Sequence, residues 1–243
     1  MITGTKADII ALLQKEIMPL QGFRPVLNNS TIDTALGPIK NAFPHSSFPL
    51  GAIHEFIAEG PEDMAATTGF ISFLLSSLIQ KKGVCIWISA HRTIFPPALR
   101  SFGLAPDKII FIELNKDKEV LWVMEEALKC EGLAAVVCEI SELNFTASRR
   151  LQLAVEQSKV TGFILRDHPR SENTTACVTR WKITPLSGTI ADDMPGVGFP
   201  RWNVDLLKVR NGKPGTWQVT YSAGGFIQNS AFTSIPHQQK KTG

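Results

Sequence analysis

The sequence predicts an α/β fold: a mostly parallel sheet flanked by helices, followed by antiparallel strands towards the C-terminal end. Three observations predict it. Short apolar runs, "AIHEFIA" (52–58), "VCIWIS" (84–89), "KIIFIEL" (108–114), "LAAVVCEI" (133–140) and "VTGFILR" (160–166), recur at intervals of about 20 to 30 residues. Helical patterns over 64–80, 93–102, 117–131 and 144–158 separate them. From residue 176 the chain changes to alternating strands with turns such as "NGKPG" between them and no helical pattern. Continuous apolar strands interleaved with helices mean a parallel sheet covered on both faces.

The elements follow in order. Residues 6–18, "KADIIALLQKEIM", place Ile9, Ile10, Leu13 and Ile17 on one stripe of an amphipathic helix. That stripe packs either on a neighbouring protein or back on the chain's own core. "RPVLNNSTIDTALGPIKNAFPHSSFP" mixes turn residues with isolated apolar ones and is expected to be an irregular connection. In "NFTASRRLQLAVEQS", Asn144 is placed to cap the helix, with Leu151 and Val155 facing inward. Arg149 and Arg150 on the same helix fall on a solvated face. The late strands are expected at 176–186, 201–211 and 216–225, with a Gly- and Pro-rich loop over 187–200. The domain expectation is an N-terminal helix and linker over 1–45, one α/β domain over 46–225, and a disordered tail over 226–243.

Composition is ordinary for a globular chain of 243 residues, with 44% hydrophobic and 19% charged residues. The N-terminal stretch interleaves charges with apolar residues, unlike a signal peptide or a membrane span, so a cytoplasmic protein is expected. Cys85, Cys130, Cys138 and Cys177 form no CxxC and read as small buried hydrophobes, with no disulfide or metal role. Net charge is +3 but uneven. Residues 1–144 hold 12 Lys and Arg against 16 Asp and Glu, and residues 145–243 hold 13 against 6. A basic back half suits an acidic partner or nucleic acid, or is simply a solvated face.

The stretch "GPEDMAAT" sits where a phosphate-binding loop belongs, between an apolar strand and a helix. Against GxxxxGK[ST], Gly60 and Thr67 match, while the second glycine and the lysine are Ala65 and Ala66. Losing the lysine and the second glycine weakens nucleotide affinity by roughly two to three powers of ten. Glu62 and Asp63 add negative charge where phosphates would lie, and Thr67 keeps only the capacity to meet a metal. Glu139 ends an apolar strand where a metal-organising carboxylate would stand; a lone carboxylate there is also read as a solvated residue or a cap. The five histidines show no HxxxH or HExxH spacing, and there is no GxSxG elbow. His91 and His168 each follow a strand and are the one pair that could meet above the sheet edge. No enzyme signature is complete, so no catalytic residue and no cofactor is expected.

The basic candidates are Arg180, Lys182, Arg201, Lys208, Arg210 and Lys213. Because side chains alternate along a strand, Arg180 and Lys182 share one face, as do Lys208 and Arg210. If the sheet buries its other face, these cations form an exposed ridge for a protein partner or single-stranded DNA. Trp181, Trp202 and Trp217 on the same strands are expected in the core.

The segment "STIDTALGP…FPLGAIHEFIAEGPEDMAATTGF" resembles the opening of the RecA-like recombinases, with Leu36-Gly37 and Pro49-Leu50-Gly51 at matching places. In that likeness His91 stands in place of the recombinase's catalytic glutamate, and Glu139 alone remains as a vestige. "VTRWKITPLSG" and "PRWNVDLLKVRNGKPGTWQVTY" are similar to the closing strands of the ImuA family of SOS-mutagenesis proteins, carried by Arg180, Trp181, Trp202, Arg210 and Trp217. The resemblance covers residues 30–225. It implies a RecA-like fold without ATPase activity and a role in damage-induced, error-prone translesion synthesis. The partners it implies are an ImuB-type polymerase-like protein, an error-prone replicative-type polymerase and RecA; a weak single-stranded DNA contact is the alternative that the basic strands themselves offer. The front half alone also resembles SulA-like division inhibitors, and a weak RecA-like ATPase is the third reading.

Overall fold

A computed structural model describes residues 30–80, 83–90, 94–171, 173–188, 198–222 and 225–228. The helix expected at 6–18, His91, residues 189–197 of the Gly/Pro-rich loop and residues 229–243 of the tail lie outside the described residues.

The described elements are α1 (Ser30–Ala35), β1 (Ile53–Ala58), α2 (Pro61–Ile79), β2 (Cys85–Ser89), β3 (Ile109–Glu113), α3 (Asp117–Leu128), β4 (Ala135–Ile140), α4 (Phe145–Ser158), β5 (Thr161–Asp167), β6 (Thr179–Leu186), β7 (Arg201–Val209), β8 (Gly215–Ser222) and β9 (Gly225–Gln228). The nine strands form one sheet in the order β3-β2-β4-β5-β1-β6-β7-β8-β9. β3 to β6 pair in parallel across that order, and β7, β8 and β9 add on antiparallel. This is the expected architecture, a mostly parallel sheet with an antiparallel C-terminal extension.

Burial explains the change of rhythm. Every residue of β1 and β4 is buried, because helices cover both faces of the parallel part. On one face, Phe70, Phe73 and Leu74 of α2 pack with Phe56, Trp87, Phe163 and Trp181. On the other, Val120 and Met124 of α3 and Leu151 and Val155 of α4 pack with Ile53, Val136 and Ile164. In β6 and β7 burial alternates instead, so only one face of the extension reaches the core. Trp181 and Trp202 are buried, and Trp217 is partly buried against the same core, as expected of large aromatic residues on such strands.

Several boundaries move for physical reasons. The stretch expected as a helix over 93–102 is a 3-10 segment, Pro96–Phe102, which starts on two prolines and ends at Gly103 in the left-handed region (φ +75). The stretch before β1 is not a linker. It holds α1 and two 3-10 turns, and it buries Ile32, Leu36, Ile39, Phe43 and Phe48 in the same core as α2. Asp33 fastens it, accepting from the Phe48 amide at 2.7 Å and the Ser47 hydroxyl at 2.9 Å. Gly51 turns with φ +61, and a Cβ there would meet the Lys159 backbone at 3.2 Å, so this turn requires glycine. The Asn144 cap forms as expected, accepting from the Ala147 amide at 2.8 Å. Strand β9 extends the sheet three residues beyond residue 225. All four cysteines are free thiols; three are buried and Cys130 is exposed. Among the described residues no helix is long and apolar enough to cross a membrane.

Candidate functional site

The first candidate is the turn after β1. The strand ends at Ala58, and α2 begins at Pro61, so only Glu59 and Gly60 separate them. Gly60 is the helix N-cap with extended backbone (φ −164, ψ 170). The Met64 amide already donates to Gly60 O at 2.9 Å, as in any helix start. The Glu59 amide donates to the Asp63 carboxylate at 3.2 Å. A phosphate cradle needs a wide loop whose free amides point at one centre. Here the positions that would form it are wound into the first turns of α2, which corrects the expectation of a loop over these residues. Pro61 contributes no amide, and Glu62 and Asp63 already occupy the positive end of the helix. A Cβ at Gly60 would meet nothing within 4 Å, so no close approach demands glycine there.

The remaining loop positions fare no better. Ala65 is exposed, but Ala66 and Thr67 point into the core, and Thr67 is fully buried with no hydrogen-bond partner for its hydroxyl among the described residues. The sequence left Thr67 free to hold a metal; its burial on the inner side of α2 removes that option. These residues do not fit a nucleotide with its cation.

Glu139 sits near the end of β4 and is buried, so it is not a solvated residue. The Trp87 indole N–H of neighbouring β2 donates to its Oε1 at 2.7 Å. The two strands are adjacent in the sheet, so this bond ties them on the α2 face. His168 is exposed and contacts the Asp167 carboxylate at 2.5 Å through Nδ1. Its expected partner, His91, lies outside the described residues.

The most elaborate polar arrangement was missed from the sequence. Glu55 in the middle of β1 is fully buried. Its Oε1 accepts from Arg166 Nη1 of β5 at 2.8 Å, and its Oε2 from Arg180 Nε of β6 at 2.9 Å and from the Thr175 hydroxyl at 2.7 Å. Arg166, also fully buried, reaches Asn173 Oδ1 and Ser171 O at 3.2 Å and Glu142 at 3.4 Å. The signal was present: a carboxylate and a guanidinium within apolar strand runs are costly unless they meet. Sequence alone does not say which strands lie side by side.

This network governs the basic candidates. Arg180 donates to Glu55 and to Asn173 O, Lys208 to Thr175 O at 2.8 Å, and Arg210 to Ala176 O at 2.9 Å. These three cations pin the segment between β5 and β6 across the sheet. Burial accordingly pushes the Lys208 ammonium below its usual pKa. Lys182 pairs with Glu59 at 2.7 Å, and Arg201 donates to Ser187 O at 3.0 Å. Lys213 is exposed, with its backbone amide bonded to Ala42 O. The expected ridge is therefore not a row of exposed cations: three of the six are structural fasteners, although the alternation itself holds, with Trp181 buried between Arg180 and Lys182 and Val209 buried between Lys208 and Arg210.

A second buried chain links β1 to β6. The Trp181 indole N–H donates to Thr179 Oγ1 at 2.7 Å, and that hydroxyl lies 2.7 Å from His54 Nδ1. His54 Nε2 lies 2.9 Å from Pro49 O, which can only accept, so the ring carries its proton on Nε2. Burial lowers the His54 pKa to about 3, against a smaller raising effect of the Pro49 carbonyl.

No family model matches the chain. Among curated proteins it is similar to "Protein ImuA" of Caulobacter vibrioides, in strains NA1000 / CB15N and ATCC 19089 / CIP 103742 / CB 15. Each match is 35% identical over 200 residues, covering 77% of this chain and 82% of the relative. The chain belongs to the ImuA family. The nine-stranded α/β sheet agrees with the RecA-like core that the sequence resemblance implied, and the family assignment rests on most of both chains.

Proposed function

We propose that this protein is a non-enzymatic, RecA-like accessory of damage-induced, error-prone translesion DNA synthesis. It acts in the cytoplasm and bridges an ImuB-type polymerase-like partner and RecA. Family membership supports the pathway, since the curated relatives carry the ImuA name. The observation that supports the non-enzymatic role is the start of α2 at Pro61, directly behind Gly60, which leaves no amide cradle for a triphosphate. A fold that once served nucleotide chemistry then serves as a scaffold, with Glu55 and Glu139 holding strands together.

The test has a biochemical and a cellular arm. Calorimetry with Mg-ATP is expected to give no binding in the micromolar range, and purified protein no turnover. A deletion strain is expected to lose damage-induced mutagenesis while dividing normally. Metal-dependent turnover that Glu139→Ala abolishes would favour a RecA-like ATPase. A division phenotype without a mutagenesis phenotype would favour the SulA-like reading.

A further inference from the structure

The outer surface of α3 and α4 carries a feature that neither the core nor the turn after β1 explains. α3 buries Val120, Met124, Ala127 and Leu128, yet Trp122 on the same helix is 62% exposed. Beside it, Leu121 and Leu151 line a groove of about 250 Å³ between the two helices. Two of the charges around it cancel: Arg150 meets Glu125 at 2.5 Å. The third, Lys118, lines the groove and has no ion-pair partner among the described residues.

We infer that this groove is a docking socket for a protein partner that presents a large apolar side chain beside a carboxylate. Exposed tryptophan next to an apolar recess, ringed by polar groups, is the composition of an interface anchor. The recess is the size of a side chain rather than of a whole helix, so one residue of the partner fills it. Lys118 then supplies the attraction that selects an acidic neighbour, because Arg150 is already engaged. Trp122 could also stack on a nucleic-acid base, but α3 carries Asp117, Glu119, Glu125 and Glu126 against Lys118. A run of phosphates would meet that acidic helix, whereas a single carboxylate needs only Lys118. The inference deepens the proposed function and rests on it, since it names the surface that a bridging protein offers.

The test is to pan a random-peptide phage library on the full chain, with Trp122→Ala as the counter-target. Trp122 is exposed, so the substitution leaves the core untouched, and Lys118→Glu provides a second variant. Peptides that hold the wild type are expected to carry a large apolar residue near Asp or Glu. Their affinity is expected to fall about tenfold or more with Trp122→Ala and about threefold with Lys118→Glu. Failure to recover any peptide that distinguishes the wild type from Trp122→Ala would overturn the socket. So would displacement of selected peptides by oligo-dT, which would make the surface a nucleic-acid site. Purified ImuB-type protein is tested in parallel. If it fails to bind the wild-type chain while selected peptides still discriminate the variants, the proposed partner falls and the socket stands.

Discussion

Glu55 on the central strand β1 is clasped from both neighbouring strands, by Arg166 of β5 at 2.8 Å and Arg180 of β6 at 2.9 Å. One carboxylate thus stitches three parallel strands, and the hydroxyl of Thr175 brings the connection between β5 and β6 into the same bond set. With both guanidinium groups largely buried, removing the carboxylate leaves Arg180 without a carboxylate partner and Arg166 with only the longer contact to Glu142 at 3.4 Å.

Glu55→Ala is therefore expected to destabilise the fold by about 3–5 kcal/mol, the usual cost of breaking a buried ion pair from one side. Arg180→Glu would place two carboxylates together and is expected to cost at least as much. Lys182→Glu, at a half-exposed site paired to exposed Glu59, is expected to change stability by about 1 kcal/mol or less. Urea unfolding of the three variants checks the order. Equal midpoints for Glu55→Ala and Lys182→Glu would show that the clasp carries no stability.

His54 makes stability depend on pH. Its folded pKa, about 3, lies below the unfolded value of about 6.5, so the unfolded chain binds the extra proton between those values. The contribution is complete above about pH 6.5 and is lost as pH falls towards 3. At pH 5 this one residue is expected to cost about 2 kcal/mol of stability relative to pH 7. Urea midpoints of the wild type and His54→Gln at both pH values test it: the acid loss should be smaller in the variant.

Restoring the lost loop residues is expected to fail. Ala65→Gly/Ala66→Lys recreates the GK pair, but Ala66 faces the core and residues 61–67 are helical. The glycine costs about 1 kcal/mol in a helix, and the lysine must bury its stem or force the helix open. Calorimetry should find no gain in Mg-ATP affinity, and thermal unfolding should show a lower midpoint. Micromolar binding by the double variant would mean that α2 can unwind into a loop.

Trp87→Phe keeps an aromatic ring in the core and removes the indole N–H from Glu139. A loss of about 1.5–3 kcal/mol is expected, as for a hydrogen bond to a charged group. Glu139→Gln keeps an acceptor for that indole and is expected to cost less. A larger loss in Glu139→Gln than in Trp87→Phe would place the weight of Glu139 elsewhere.

Much of the architecture was legible because it is written in periods. Runs such as "AIHEFIA" and "LAAVVCEI" are apolar at every position, and only strands buried on both faces tolerate that. The switch to alternation after residue 176 announced a sheet with one open face. Asn144 and the tryptophans of β6 and β7 were equally local signals, since capping and aromatic burial depend on the residue and its immediate neighbours.

What the tertiary structure decided is how far-apart residues meet. The motif comparison placed a loop at residues 60–67, yet the chain winds directly into a helix at Pro61, because a proline at the first helical position and two acidic residues in the first turn suit a helix start. Arg180, Lys208 and Arg210 appeared as free cations because a one-dimensional count of charge cannot see Glu55 or the carbonyls of residues 173–176, which reach them only when β1 lies between β5 and β6. Periodicity along the chain is a short-range property and survives in the sequence. Pairing across strands 111 and 125 residues apart, as in Glu55 with Arg166 and Arg180, is set by strand order, and strand order exists only in the folded sheet.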